Sequence, residues 1–376
     1  MTSQEERICR RLRLLYSDSD VDVLFEQCRS ALGDPTPSTG GDRWSENDVV
    51  LIAYPDQISD QDQPPLATLK SVLSEVDHAF STIHILPFFP SSSDDGFAVI
   101  DHCEVAEEFG GWRNIESISA NNQIMADLVL NHVSASHRWV DEFRKDIDPG
   151  RRCLLTASPD VDLSAVVRPR TTELLVPCET INGVKHLWCT FSPDQVDVNW
   201  AEPEVLLETL RTLNCLLEAG VRWIRLDAVA YAQKRLGTTC VHLEETHELV
   251  RLLRDLLEWR CPDALLITET NVPHTENLSY LRDGMQAHLA YNFTLAPLLT
   301  HALITGSSER IAAWLRESEQ PPEGTTFLNF LASHDGIGVR PVEDLLNDSE
   351  IEMLLAATER ANGTWTGHTT PERIRP

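Results

Sequence analysis

Gly220-Val-Arg-Trp-Ile-Arg-Leu-Asp227 is the stretch on which the reading of the chain turns. Side chains alternate along a strand, so Arg225 and Asp227 share one face while Ile224 and Leu226 take the other. Apolar residues on both faces indicate a strand covered on both sides, as in a parallel sheet flanked by helices. Just upstream, Leu206, Leu210, Leu213 and Leu217 recur at spacings of 4, 3 and 4, a helical stripe that Gly220 stops. An ionised Asp227 in such a strand is costly unless paired, and Arg225 is the partner at hand. On these residues alone a structural ion pair and a functional carboxylate fit equally.

The same grammar recurs outward in both directions. Leu249, Leu253, Leu256 and Leu257 predict a helix that leads into the strand Ala264-Leu-Leu-Ile-Thr-Glu269. Upstream, Val49–Ala53 and Thr82–Leu86 read as strands separated by a helix over 66–79. A loop, Pro87 to Phe97, follows and carries Asp94, and the next strand runs from Gln123 to His132. Downstream, apolar runs at 286–294 and from Thr326 lead to His334 and Asp335. Strands alternating with helices predict an α/β fold of the (β/α)8 TIM-barrel type. Only seven strands are found. After a last helix, Ser349 to Ala361, residues 362–376 read as an irregular polar tail, which leaves the barrel without strand 8.

Two segments stand outside this rhythm. Residues 1–44 read as an N-terminal helical cap, with Ile8, Leu12 and Leu15 in one helix and Leu24, Cys28 and Leu32 in the next. Residues 133–200, with Pro149, Pro159, Pro169 and Pro177 and no long periodic helix, read as an inserted small domain between barrel segments 45–132 and 201–361. Two exposed strand edges in an unclosed barrel could pair with a second copy, so a homodimer is one expectation.

With 59 acidic and 31 basic residues the net charge is −28, a field that repels nucleic acid and anionic membranes. The nine cysteines are scattered, with no CxxC pair, which suits free thiols in a reducing cytoplasm. No run approaches the ~18 apolar residues of a membrane span, and no signal-like segment opens the chain, so a cytoplasmic protein is expected. His242-Leu-Glu-Glu-Thr-His247 lacks HExxH spacing and reads as a capping and surface feature. The Asp-rich segments at 17–22 and 56–62 lack the oxygen spacing of a calcium loop, and no metal or cofactor is expected. Trp188, Trp200 and Trp223 read as core.

Polar clusters end four of the strands: Asp127, Asn131 and His132; Arg225 and Asp227; Glu269; His334 and Asp335. In a βα barrel all such ends meet at one rim. Stability alone would favour apolar residues there, so several carboxylates at a common rim argue for a catalytic site.

Asp127-Leu-Val-Leu-Asn-His132, Gly220 to Asp227, Ile267-Thr-Glu269 and Phe330-Leu-Ala-Ser-His-Asp335 resemble, in order and spacing, the four sequence regions of the α-amylase family of glycoside hydrolases (family 13). Gln195-Val-Asp-Val-Asn199 resembles the short extra region that closes that family's inserted domain B. The loop Leu86 to Ala98 and the run Arg235-Leu-Gly-Thr-Thr-Cys240 are similar to the sucrose phosphorylase subgroup. Asp162-Leu-Ser-Ala-Val-Val-Arg-Pro-Arg-Thr-Thr172 looks more like its glucosylglycerate and glucosylglycerol phosphorylase branch.

The resemblance implies Asp227 as nucleophile, Glu269 as general acid and base, and Asp335 as transition-state stabiliser. Arg225, His132 and His334 would hold the glucose and the nucleophile, Asp94 the far hydroxyls, and Gln195 would also contact substrate. Carboxyls about 5 Å apart suit a retaining double displacement. Desolvation at the end of an apolar strand should raise Glu269, and Arg225 should keep Asp227 ionised. The implied activity takes sucrose or glucosylglycerate with inorganic phosphate to α-glucose 1-phosphate. Alternatives are an amylase-like hydrolase or transglucosidase, or an inactive remnant, since the family continues into an eighth strand and a C-terminal β domain not found here. Arg168 and Arg170 are candidates to bind the phosphate, set against the plainer reading of exposed loop arginines.

Overall fold

The computed structural model describes residues 2–76, 79–365, 368–369 and 374–375. The chain divides into two compact units, Met1–Leu266 and Ile267–Pro376.

The first unit opens with α1 (Ser3–Leu15) and α2 (Val21–Leu32). Thr2 and Glu5 form a reciprocal capping box at α1, and Asp20 accepts from the Asp22 and Val23 amides to start α2. Three parallel strands follow, interleaved with helices: β1 (Val50–Ala53), α3 (Pro65–Glu75), β2 (Thr82–Ile85), α4 (Trp112–Ser119) and β3 (Gln123–Val129). The chain then makes β4 (His132–Ser134), two short helices α5 (Arg138–Arg144) and α6 (Gly150–Cys153), β5 (Leu175–Thr180), β6 (Gly183–Trp188) and β7 (Gln195–Asp197). It returns through α7 (Pro203–Glu218) to β8 (Val221–Asp227) and α8 (Glu244–Arg260).

In β1-β2-β3-β8, Ala53 lies opposite Ile85, Ile85 opposite Ala126, Asp127 opposite Arg225 and Val129 opposite Asp227. That register sets two carboxylates and a guanidinium side by side near the carboxyl ends of β3 and β8. Leu206, Leu210, Leu213 and Leu217 of α7 are all buried, as their spacing predicts. Gly220 turns α7 into β8 at φ +90°, and a Cβ there would fall 2.3 Å from Ser119 Oγ, so no other residue fits the junction. Arg7 and Arg11 of α1 reach across to Asp255 of α8, at 2.9 and 2.8 Å, and fasten the first helix to this unit.

Between β3 and α7 the backbone changes from parallel to antiparallel pairing. β4 pairs with β7, bringing His132 opposite Asp197 and Ser134 opposite Gln195, and β5 with β6 forms a hairpin. The single strand expected from Gln123 to His132 is therefore two. The ladder between β3 and β8 runs out at Asp227, and the His132 backbone turns to meet β7 instead. The 66–79 helix ends at Glu75, short of residues 77–78, which lie outside the described residues.

The second unit begins inside β9 (Leu265–Thr268) and continues with α9 (His274–Leu278), β10 (Leu289–Tyr291), α10 (Leu295–Thr305), α11 (Glu309–Glu317), β11 (Thr326–Leu328) and α12 (Asp348–Arg360). Its strands are parallel, with Ile267 opposite Leu289 and Leu289 opposite Thr326. Leu298, Trp314, Val342, Leu346 and Leu354 form one of its core clusters, and Leu278, Leu281, Ala287 and Ala290 another. With four strands in the first unit and three in the second, the described residues carry seven parallel strands. The tail expected from residue 362 lies for the most part outside the described residues. No helix among the described residues is long and apolar enough to cross a membrane.

Candidate active site

Arg225 stands between two carboxylates. Its Nη1 donates to Asp127 Oδ1 at 2.5 Å and lies 3.3 Å from Asp227 Oδ1. Asp127 also takes His84 Nε2 at 3.0 Å on its other oxygen. Arg225 is 1% exposed, Asp127 0% and Asp227 9%. Burial pushes the Asp127 carboxyl up, but the charges of His84 and Arg225 and their hydrogen bonds outweigh it and hold it below the usual carboxylate range. The guanidinium also lies 5.6 Å from the centre of the Phe97 ring, a cation–π contact that orients it. Asp227 is thus the more open end of a chain of charges whose far end is fully buried.

A second group of side chains grows from β4 and β7. Gln195 Nε2 donates to Asp94 Oδ2 at 2.7 Å and lies 3.0 Å from His132 Nε2, which is itself 3.3 Å from the Phe97 carbonyl oxygen. Burial lowers the pKa of His132, favouring a neutral ring against Phe191. Asp94 sits on an exposed turn, Asp94–Gly96, with φ +56° at Asp94 and +51° at Asp95. Gly96 follows at φ +107°, where a Cβ would meet the Pro87 carbonyl oxygen at 2.9 Å. The turn therefore requires its glycine to present Asp94 toward Gln195.

Behind these lies a buried ion pair. Lys234 Nζ lies 2.7 Å from Asp197 Oδ2, donates to Asn131 Oδ1 at 2.7 Å and also bonds the Tyr231 carbonyl. Thr190 donates its amide and hydroxyl to the same Asp197, at 2.9 and 2.5 Å. This locks β7 to the loop after β8. Arg168 is half-buried, its pKa lowered by burial against the pull of Asp197, and its Nη1 is buried with no hydrogen-bond partner among the described residues. Arg170 is exposed. The plain reading of two exposed loop arginines therefore holds for Arg170 and fails for Arg168, which the insertion folds inward.

In the second unit Glu269 follows β9 directly and is half-buried. His334 Nε2 lies 3.2 Å from Asp335 Oδ2, and Asp335 donates its amide to Ser333 Oγ at 3.2 Å. The His334 side chain is 5% exposed and that of Asp335 50%. β11 ends at Leu328, so both residues sit in the turn beyond the strand rather than on its end.

Of the residues singled out from sequence, the first unit joins Arg225 with Asp227, and Asp94, Gln195 and His132 with one another. The second joins His334 with Asp335. Sequence reasoning paired Arg225 with Asp227, whereas the shorter contact is to Asp127. It missed His84, Lys234 and Asp197 as members of the site. A polar residue inside the strand Thr82-Ile-His-Ile is the signal that could have found His84. The surface reading of His242 to His247 is also corrected. Leu243 occupies the cap position of α8 with no side-chain cap, and Thr246 and His247 turn inward with the apolar stripe of that helix. Trp188, Trp200 and Trp223 are core, as expected.

Parallel strands interleaved with helices, with acidic residues at their carboxyl ends, define a TIM-barrel-like α/β catalytic domain. The chain belongs to the α-amylase family, whose "Alpha amylase, catalytic domain" profile matches residues 53–336. It is 44% identical over 369 residues to the glucosylglycerate phosphorylase of Allomeiothermus silvanus, covering 98% of this chain and 66% of that protein. The glucosylglycerate phosphorylase of Escherichia coli is 42% identical, over 88% of this chain and 60% of the relative. Sucrose phosphorylase of Agrobacterium vitis is 33% identical, over 78% and 60%. Among solved structures, sucrose 6F-phosphate phosphorylase from Thermoanaerobacter thermosaccharolyticum superposes with a TM-score of 0.78 at 25% identity, over 89% of this chain and 69% of that one. The chain thus spans less than two thirds of the length of these curated relatives.

Proposed function

We propose that this chain is a retaining α-glucosyl phosphorylase that uses inorganic phosphate to release α-glucose 1-phosphate, with glucosylglycerate as its foremost substrate and sucrose as the next. The observation that carries the reading is the Arg225–Asp227 pair at the end of β8, in a chain 44% identical to a glucosylglycerate phosphorylase. Arg225 keeps positive charge against Asp227, as a carboxylate nucleophile requires.

In the proposed reaction Asp227 attacks the anomeric carbon of the glucosyl group. Glu269 gives its proton to the departing oxygen, so the acceptor leaves as a neutral alcohol and a β-glucosyl ester remains on Asp227. Phosphate then attacks the same carbon from the opposite face. Asp227 leaves, Glu269 recovers the proton, and the configuration of the donor is restored. Asp335 stabilises the positive charge that develops on the sugar ring, with His334 holding it. His132, Gln195 and Asp94 bind the glucose hydroxyls, and the Gln195–Asp94 hydrogen bond supports that shared role. Arg168 supplies the charge that draws phosphate into a protein of net charge −28; its buried, unpartnered Nη1 supports this role over Arg170. The cytoplasm is the expected compartment, where phosphate and such glucosides are available together.

The test is release of glucose 1-phosphate from glucosylglycerate, sucrose and glucosylglycerol, with and without phosphate, using Asp227→Ala as the blank. The reading expects phosphate-dependent product that is absent from the blank. Free glucose formed without phosphate would instead identify a hydrolase.

A further inference from the structure

Cys103 and Cys215 lie 112 residues apart in sequence, yet their sulfurs are 3.0 Å apart, one in the loop after β2 and one on α7. The chain has nine cysteines, and the other seven are buried; these two alone are partly exposed. A disulfide bond is about 2.05 Å long, so roughly 1 Å of approach would close one. The Cys103 end is firmly seated. Its amide donates to Asp101 Oδ1 at 2.8 Å, its carbonyl accepts from Trp112 Nε1 at 2.9 Å, and the Trp112 ring packs edge-on against Phe88. The hydrogen bond between the two thiols lowers the pKa of Cys215 and raises that of Cys103, which makes Cys215 the thiol that first becomes a thiolate.

We propose that Cys103 and Cys215 are a reversible oxidation site that closes to an intramolecular disulfide on exchange with small-molecule disulfides. Cys215 thiolate attacks one sulfur of the small disulfide; that S–S bond breaks, and one small thiol leaves with a proton. Cys103 thiolate then attacks the Cys215 sulfur of the mixed disulfide and expels the second small thiol. Two electrons pass from the protein to the reagent, and both cysteine protons end on the two small thiols. The new bond ties the segment just beyond the Asp94 turn to the helix that feeds β8.

The experiment is incubation of the whole chain with oxidised glutathione, followed by thiol counting, non-reducing peptide mapping and a melting curve. The site predicts loss of two of the nine thiols, one linked peptide pair containing Cys103 and Cys215, and a rise in Tm of about 5 °C. Dithiothreitol should reverse all three. In Cys103→Ser the second step is blocked, so Cys215 should retain one glutathione. Nine thiols still free, linked peptides from other cysteines, or a stable glutathione adduct on Cys215 of the unsubstituted chain would each overturn the proposal.

Discussion

Replacing Asp127 by asparagine tests what holds the charge centre together. The substitution keeps the shape and removes the charge from a side chain with no exposure, which faces Arg225 at 2.5 Å and His84 at 3.0 Å. Removing one partner of a buried ion pair costs about 3–5 kcal/mol, because the remaining charge stays buried with less to offset it. Hydrogen bonds to charged groups contribute about 1.5–3 kcal/mol each, so the two bonds to Asp127 give an overlapping range of about 3–6 kcal/mol. Part of this is recovered because Arg225 can shift toward Asp227, and the expected loss is therefore about 3 kcal/mol, at the low end of that range. Urea unfolding followed by tryptophan fluorescence reads it, since Trp223 is buried two residues from Arg225 on β8. At an m-value of about 3 kcal/mol/M or somewhat above, the midpoint falls by somewhat under 1 M. A midpoint within 0.2 M of the parent, roughly the scatter of such fits, would refute the claim that Asp127 anchors Arg225.

Three further outcomes follow from the geometry. His137 is 5% exposed and its pKa is lowered to about 4 by burial, from 6.5 when unfolded, so its contribution is complete above pH 6.5 and is lost as pH falls toward 4. Stability should drop by up to about 1.4 kcal/mol per pH unit across that window from this group, and His137→Gln should flatten the slope in the same urea series. Gly96→Ala forces a side chain onto the Pro87 carbonyl at a φ that disfavours it, so the Asp94 turn should shift. The expected result is a fall in kcat/KM for the glucoside of about 10- to 100-fold, with a stability loss near 1 kcal/mol. Arg168→Ala should raise the KM for phosphate about tenfold or more while leaving that for the glucoside near its parent value; an unchanged phosphate KM would remove Arg168 from the proposal.

The helix-to-strand junction at Gly220 was legible because two strong signals abut there: leucines at helical spacing and then a run apolar on both faces. The first three strands were legible for the same reason. Where Asp127-Leu-Val-Leu-Asn-His132 breaks into two strands was hidden, because its apolar run shows no change of period at the point where the hydrogen-bond partner changes. His84 escaped notice since a single imidazole in an apolar strand looks the same whether it fills space or carries charge. Lys234 lies in a loop after β8, where no periodicity exists to say that it turns inward to Asp197. His334 and Asp335 were placed at a strand end, but β11 is only three residues long and the motif lies in the turn beyond it. Burial decides these cases, and burial is set by elements distant in sequence.

The central claim is that Asp227 carries the glucosyl group between two displacements. Mass spectrometry of Glu269→Gln after exposure to α-glucosyl fluoride tests it most directly, since this donor needs no acid to lose its leaving group and the variant lacks the base that would activate the next acceptor. The account predicts one hexosyl residue on the peptide that contains Asp227, removed when a strong anionic nucleophile such as azide is added. A hexosyl group on any other residue, or turnover of the donor by Asp227→Ala, would contradict it.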